Sequence, residues 1–246
     1  MLKRLVRGRC GLVLGLLVLL AAPLRAQESR PPLGYITKEA FAGVVIKVGD
    51  LLAAPEMELF PREVFTAVSM SSLGFDAMEI EEFVIFAEPP AASSGNPMCL
   101  VLRFKKETDL SSAFLVQQGE YEEGKLEGKR LLRARGVGAP DVLFADERTL
   151  LVGDREMLIR AAASKRDEPV VAEKLAAPRL ANHAALVAVM PPIRELVWSL
   201  VGDAPQPPPI TMLTRIVEDC DVVEATINMR MNGGVKVRTE SASTES

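Results

Sequence analysis

Apolar residues in this chain follow two rhythms. From Val222 to Met231 they alternate, with Val223, Ala225, Ile227, Met229 and Met231 on one side and Val222, Glu224, Thr226, Asn228 and Arg230 on the other. A period of two predicts a strand, and the first side reads as its core face. Asn232-Gly233 behind it is a hairpin signal, with Val235–Arg238 as the returning strand. Glu82–Glu88 and Met98–Lys105 predict two more strands around a loop, Pro89–Pro97, of Pro, Ala, Ser, Gly and Asn. Phe41–Val48 and Ala185–Met190 are short apolar runs of buried-strand type. Two hairpins are expected at Glu127-Gly128, between Gly124–Leu126 and Lys129–Ala134, and at Asp146-Glu147-Arg148, between Val142–Ala145 and Thr149–Val152.

Helical spacing appears elsewhere. Gly49-Asp50 open a short turn to Ala54. Pro61 precedes Val64, Phe65, Val68 and Leu73, and Gly74 ends that helix, with a second start at Asp76. Asp109 caps a helix to about Gln118, and Asp154 one to about Lys165, which Asp167-Glu168-Pro169 break. Further helices fit Val170–Ala176, Pro191–Leu200 and Ile210–Glu218. Ala204–Pro209 between the last two reads as a stiff linker outside any helix, and Glu240–Ser246 as a polar tail.

The order strand, helix, strand, strand occurs twice. Phe41–Val48 matches Ala185–Met190, the helix ending near Gly74 matches Pro191–Glu218, and the two following strands match Val222–Met231 and Val235–Arg238. The expectation is an α+β fold, mainly antiparallel sheets covered by helices, in two related lobes with the second incomplete. Residues 27–168 form the first lobe, 169–240 the shortened second, and 241–246 a disordered tail. The second lobe either borrows helical cover or leaves an apolar sheet face exposed.

The first 26 residues add an address. Lys3, Arg4, Arg7 and Arg9 precede an apolar run from Gly11 to Ala22, then Pro23-Leu24-Arg25-Ala26. This is the layout of a secretory signal peptide, residues 1–26, cut after Ala26. The run is short of the roughly 20 apolar residues that span a bilayer. Leu24 is large for its place before the cut, so an uncleaved N-terminal anchor is the alternative. Either way the working protein is extracytoplasmic, periplasmic or secreted, and cleavage leaves no stable transmembrane segment. The leader holds five bases and no acid, so 24 bases face 33 acids in the mature chain, a net of −9. That charge argues against nucleic acid or an anionic membrane surface as partner. Aromatics at 5 % are too few for carbohydrate or base-stacking platforms.

The leader, Gly34-Tyr35-Ile36, Leu59-Phe60-Pro61, Glu82–Pro89 and the hairpin-to-helix run Arg148–Leu158 together resemble an uncharacterised family of exported bacterial proteins with duplicated α+β lobes. The resemblance covers most of the mature chain. It implies a fold style and a location, and no activity or site residues.

Candidate chemistry is sparse. The single histidine, His183, sits at a helix-to-strand junction, where a polar loop residue is ordinary. No Gly-x-Ser-x-Gly elbow occurs. Cys99 and Cys220 either pair, closing a long loop worth on the order of 4–5 kcal/mol, or stay separate buried thiols. Gly136-Val137-Gly138 lacks the Lys-Ser/Thr of a phosphate loop. Three acidic clusters, Glu79/Glu81/Glu82, Glu120/Glu122/Glu123 and Glu218/Asp219/Asp221, lack the form of a calcium loop and read as solvated faces. Met229 and Met231 read as core before copper ligands. Accordingly no catalytic, cofactor-binding or metal residue is assigned and no cofactor is expected. Two functions fit. One is a non-catalytic envelope protein with a binding or structural role toward a protein, peptide or lipid. The other is an extracytoplasmic hydrolase whose carboxylates or metal assemble in the fold, which predicts a pocket with at least two acids of raised pKa.

Overall fold

The computed structural model describes residues 30–89, 98–108, 121–136, 138–164, 169–201, 208–229 and 233–241. Residues 1–29, most of the 89–97 loop, the helix expected over 109–118, Asp167-Glu168, Ala204–Gln206, Met231, Asn232 and the last five residues lie outside these. Ten strands are described: β1 Ala42–Ile46, β2 Ile80–Ala87, β3 Met98–Phe104, β4 Tyr121–Leu126, β5 Lys129–Ala134, β6 Asp141–Asp146, β7 Thr149–Gly153, β8 Ala184–Val189, β9 Cys220–Asn228 and β10 Gly234–Ser241. Six α-helices accompany them: α1 Val48–Leu52, α2 Arg62–Leu73, α3 Arg155–Ala163, α4 Val170–Ala181, α5 Pro191–Val201 and α6 Pro208–Asp219. The class is α+β, with one sheet in the order β10-β9-β8-β1-β2-β3-β7-β6-β5-β4 and every neighbouring pair antiparallel.

Periodicity sorts side chains onto two faces. On one, Val45, Val84, Phe86, Cys99, Val101, Leu131, Leu143, Leu151, Ala185 and Val187 pack under three covers. The covers are the turn at Pro32–Tyr35 with Leu33, Tyr35 and Ile36, α3 with Met157, Leu158 and Ala161, and α4 with Val171, Ala172 and Leu175. On the other, Phe75, Ala77, Ile80, Leu102, Phe104, Leu132, Val142 and Leu150 form a second core, joined by Val48 and Phe65. This second core runs from β2 through β3, β7 and β6 to β5, and stops at β2 on the side toward β1.

Ion pairs fasten the first cover. Glu82, 2 % exposed on β2, takes two bonds from Arg179 of α4, through Nε and Nη2. Glu88 just past β2 takes Arg160 of α3 (Nη2 to Oε2, 2.6 Å) and the Thr37 hydroxyl (2.6 Å). Glycine at Gly43 admits α4, since a Cβ there would lie 2.8 Å from Val171 Cγ1. At the first hairpin Glu127 (φ 50°) and Gly128 (φ 81°) both take positive φ, the turn that matches strand twist.

Several expectations are corrected. Helix α4 runs to Ala181 through Pro178, past the expected end at Ala176. Proline forfeits only its own N–H, and the last turn still closes through Asn182 N to Pro178 O (3.1 Å). Pro208 and Pro209 belong to α6 and not to a linker, because the first helical turn needs no N–H partner. The tail begins later than expected: Glu240 and Ser241 complete β10, with Lys174 reaching Glu240 (2.5 Å). Asp154 precedes α3 without a side-chain cap bond. Asp76 does cap, accepting from Met78 N at 2.9 Å.

Candidate functional site

Register carries the second, shorter core side of the sheet onward and shows where its cover ends. Val44 pairs with Leu186, Leu186 with Ala225, and Ala225 with Val237. Residues opposite one another share a face, so Leu186, Val223, Ala225, Ile227, Val235 and Val237 line the side away from α4. Four are open: Leu186 is 37 % exposed, Ile227 40 %, Val235 68 % and Val237 66 %. This is the side expected to be core in Val222–Met231. Val222, on the opposite side, is the β9 residue that joins the main core. The reason is cover. α5 and α6 pack on each other, and α6 meets the sheet where it runs straight into β9. Arg194 of α5 fixes that corner by donating to Val217 O (2.8 Å), Cys220 O (2.9 Å) and Asp221 Oδ1 (2.7 Å). Further apolar exposure lies at Leu59, Val64 and Val68 by α2 and at Trp198 of α5.

An acidic shelf lies elsewhere. Thr108, Arg130, Phe144, Asp146, Glu147, Thr149 and Leu150 line an open cavity of about 270 Å³ at the β6–β7 turn. Glu147 is pushed above the ordinary carboxylate range by a hydrogen bond with Glu107 and then by that group's charge. The Arg130 guanidinium stacks 5.1 Å from the Phe144 ring centroid and pairs with Glu123. A larger cleft of about 420 Å³ lies between Pro31–Gly34 and α4, beside Glu173 and Arg179.

The sequence candidates scatter. His183 is buried, and its Nδ1 accepts from Met229 N (2.9 Å) while its backbone bonds Ile227 O and Lys47 N. It pins β8 to β9. Cys99 and Cys220 are free thiols, the first buried and the second half-buried. Burial first, and the Glu88 charge second, push the Cys99 thiol far above its ordinary range. Glu79 pairs with Lys106, and Glu81 with Arg103 and Arg148. Their neighbour Glu82 is buried, against the expectation of a solvated cluster. Of the second cluster, Glu122 is exposed and Glu123 meets Arg130. Of the third, Glu218 and Asp219 are exposed and Asp221 meets Arg194. Gly136 and Gly138 form a turn closed by Ala139 N to Gly136 O. Met229 is half-buried. Among the described residues no group of three or more His, Cys, Asp or Glu is placed to hold a metal ion. None of their helices is long and apolar enough to cross a membrane. The sequence left an exposed apolar sheet face as one of two outcomes for the second lobe, and no local pattern signalled the Glu107–Glu147 pair.

Neither family models nor curated proteins match this chain. Solved structures of the Treponema protein TP0453 are similar in fold at low identity. Its crystal form III is 14 % identical with a TM-score of 0.49, covering 89 % of this chain and 82 % of that one. Crystal form IV is 14 % identical with a TM-score of 0.48, covering 86 % and 81 %.

Proposed function

We propose that this is an exported, non-catalytic envelope protein that binds an apolar partner, a protein segment, peptide or lipid, on the uncovered side of β8–β10. The observation that carries the reading is the open row Leu186, Ile227, Val235 and Val237. Contiguous apolar surface of this kind costs solubility unless something covers it. Export is supported by the basic start and apolar run of residues 1–26. The two-lobe reading, 27–168 and 169–240, is supported by strand order: β8, β9 and β10 leave β1 in the sequence in which β1, β2 and β3 leave β8.

Expression of the full chain in a bacterial host, followed by native mass measurement of the extracytoplasmic fraction, tests both parts. The expected result is the mass of residues 27–246 carrying an apolar adduct that dissociates on replacing Val235 and Val237 by threonine. An intact leader in the cytoplasmic fraction would refute export. A bare mass that stays bare when fatty acid or apolar peptide is added would refute binding.

The hydrolase alternative keeps one specific support, the Glu107–Glu147 pair beside Asp146 at the 270 Å³ cavity. A carboxyl with raised proton affinity is moved toward the range in which a general acid works. Ester, peptide or glycoside turnover abolished by Glu147→Gln in a folded protein would favour this reading over the first.

A further inference from the structure

Beyond that binding side lies a strand whose outer edge has no partner among the described residues. β10 ends the sheet. It runs eight residues without proline. Its pairing with β9 steps from Glu240↔Val222 to Ser241↔Cys220, so the extra residue, Asp221, sits on β9 and leaves β10 regular. Sheet edges are usually blunted by short strands, prolines, bulges or inward charges, because unpaired N–H and C=O groups recruit another strand. The opposite edge, β4, is six residues long and carries Gly124 with adjacent Glu122 and Glu123. β10 is long and has no proline and no bulge of its own, but it carries Lys236, Arg238 and Glu240 on the α4 side, so what those charges face decides whether the edge can pair.

Its charges are ordered. Lys236, Arg238 and Glu240 alternate with Val235, Val237 and Thr239. Two copies paired antiparallel about a two-fold axis put residues opposite one another in a way fixed by the centre. Centring on Val237 sets Lys236 against Arg238 twice. Centring on Arg238 sets Lys236 against Glu240 twice but Arg238 against itself at the axis. Centring on Thr239 sets Arg238 against Glu240 of the partner subunit twice, and Thr239 against itself, with no like charges opposed. Opposite charges and Thr–Thr pairs across strands are favourable, and like charges are not. Arg238 already faces Glu224 on β9, so the row Glu224, Arg238, then Glu240 of the partner subunit alternates in sign across the seam. Lys174 of the same chain stays on Glu240 from α4.

We propose that β10 is the seam of a two-fold homodimer, pairing about Thr239 and joining two sheets into one. The interface is isologous and closed, so assembly stops at two. The seam uses the strand edge and leaves the apolar side facing outward, so it stands independently of the binding reading.

Charge reversal tests it in the mature chain by sedimentation equilibrium over a dilution series. The unmodified protein is expected to dimerise. R238E and E240R are each expected to weaken dimerisation about tenfold or more, since both cross-strand pairs become like-charged. An equimolar mixture of R238E and E240R is expected to recover a heterodimer, because each variant then faces its opposite. Circular dichroism of each variant alone checks that it is folded. A monomer at every concentration, species growing past two, or singles that dimerise as well as the unmodified chain would each overturn the proposal. So would a mixture no tighter than its components. Loss of apolar-ligand binding with the dimer intact would count against the binding reading alone.

Discussion

Glu82 shows what a single residue hides. It lies next to Glu81 in a run of acids, and nothing local separates the two. Yet Glu81 meets Arg103 and Arg148 at the surface, while Glu82 turns inward to Arg179, 97 residues away. Burial of a charge is decided by a distant partner, so sequence spacing could not find it. Breaking a buried pair from one side leaves an uncompensated charge. Arg179→Ala is therefore expected to lower stability by about 3 kcal/mol, and Glu82→Met with Arg179→Met together by much less. Urea midpoints of the two variants check the ordering; equal losses in the single and the double variant would deny the pair. Cys99 is a second case. Its thiol keeps its proton above the ordinary value of 9.0 because burial disfavours the thiolate. The folded state then binds that proton more tightly than the unfolded state, so this contribution is complete below pH 9 and declines as pH rises from there. Of Cys99 and Cys220, a thiol reagent is expected to modify Cys220 quickly and Cys99 only after unfolding, read by mass before and after urea. Equal rates in the native protein would contradict the burial.

Strands and turns were the legible elements. β2, β3, β5, β6, β7 and β8 fall within a few residues of the apolar runs that predict them, since alternation and turn residues are local signals. Ends set by packing were less legible. α4 continues past Pro178 because Val171, Ala172 and Leu175 anchor it on the sheet, and packing outweighs one lost backbone bond. Its close seat depends on Gly43, at a position in β1 where a β-branched residue would be the usual choice. Gly43→Ala is expected to destabilise the protein by about 1–2 kcal/mol through overpacking against Val171 and Leu175. Thermal unfolding checks this. Trimming Val171 to Ala in the same chain should recover part of the loss, and an unchanged or raised melting temperature in Gly43→Ala alone would mean that α4 sits farther away.

At the scale of the molecule, two cores on opposite sides of one sheet have unequal extents. The α3–α4 side runs from β9 to the β5–β6 hairpin, whereas the other ends at β2 and leaves β8–β10 open. The apolar rhythm of Val222–Met231 made those residues look like core, because periodicity reports which side is apolar and not whether anything covers it. The strip was legible as a pattern and illegible as a surface. Everything proposed about binding depends on that strip being open in solution. The direct measurement is fluorescence titration of the folded mature protein with an apolar dye. Replacing Ile227, Val235 and Val237 by threonine keeps β propensity while removing apolar area. Saturable dye binding that falls several-fold in the triple variant, at an unchanged melting temperature, is the predicted result. No binding by the native protein, or binding indifferent to the three substitutions, would contradict it.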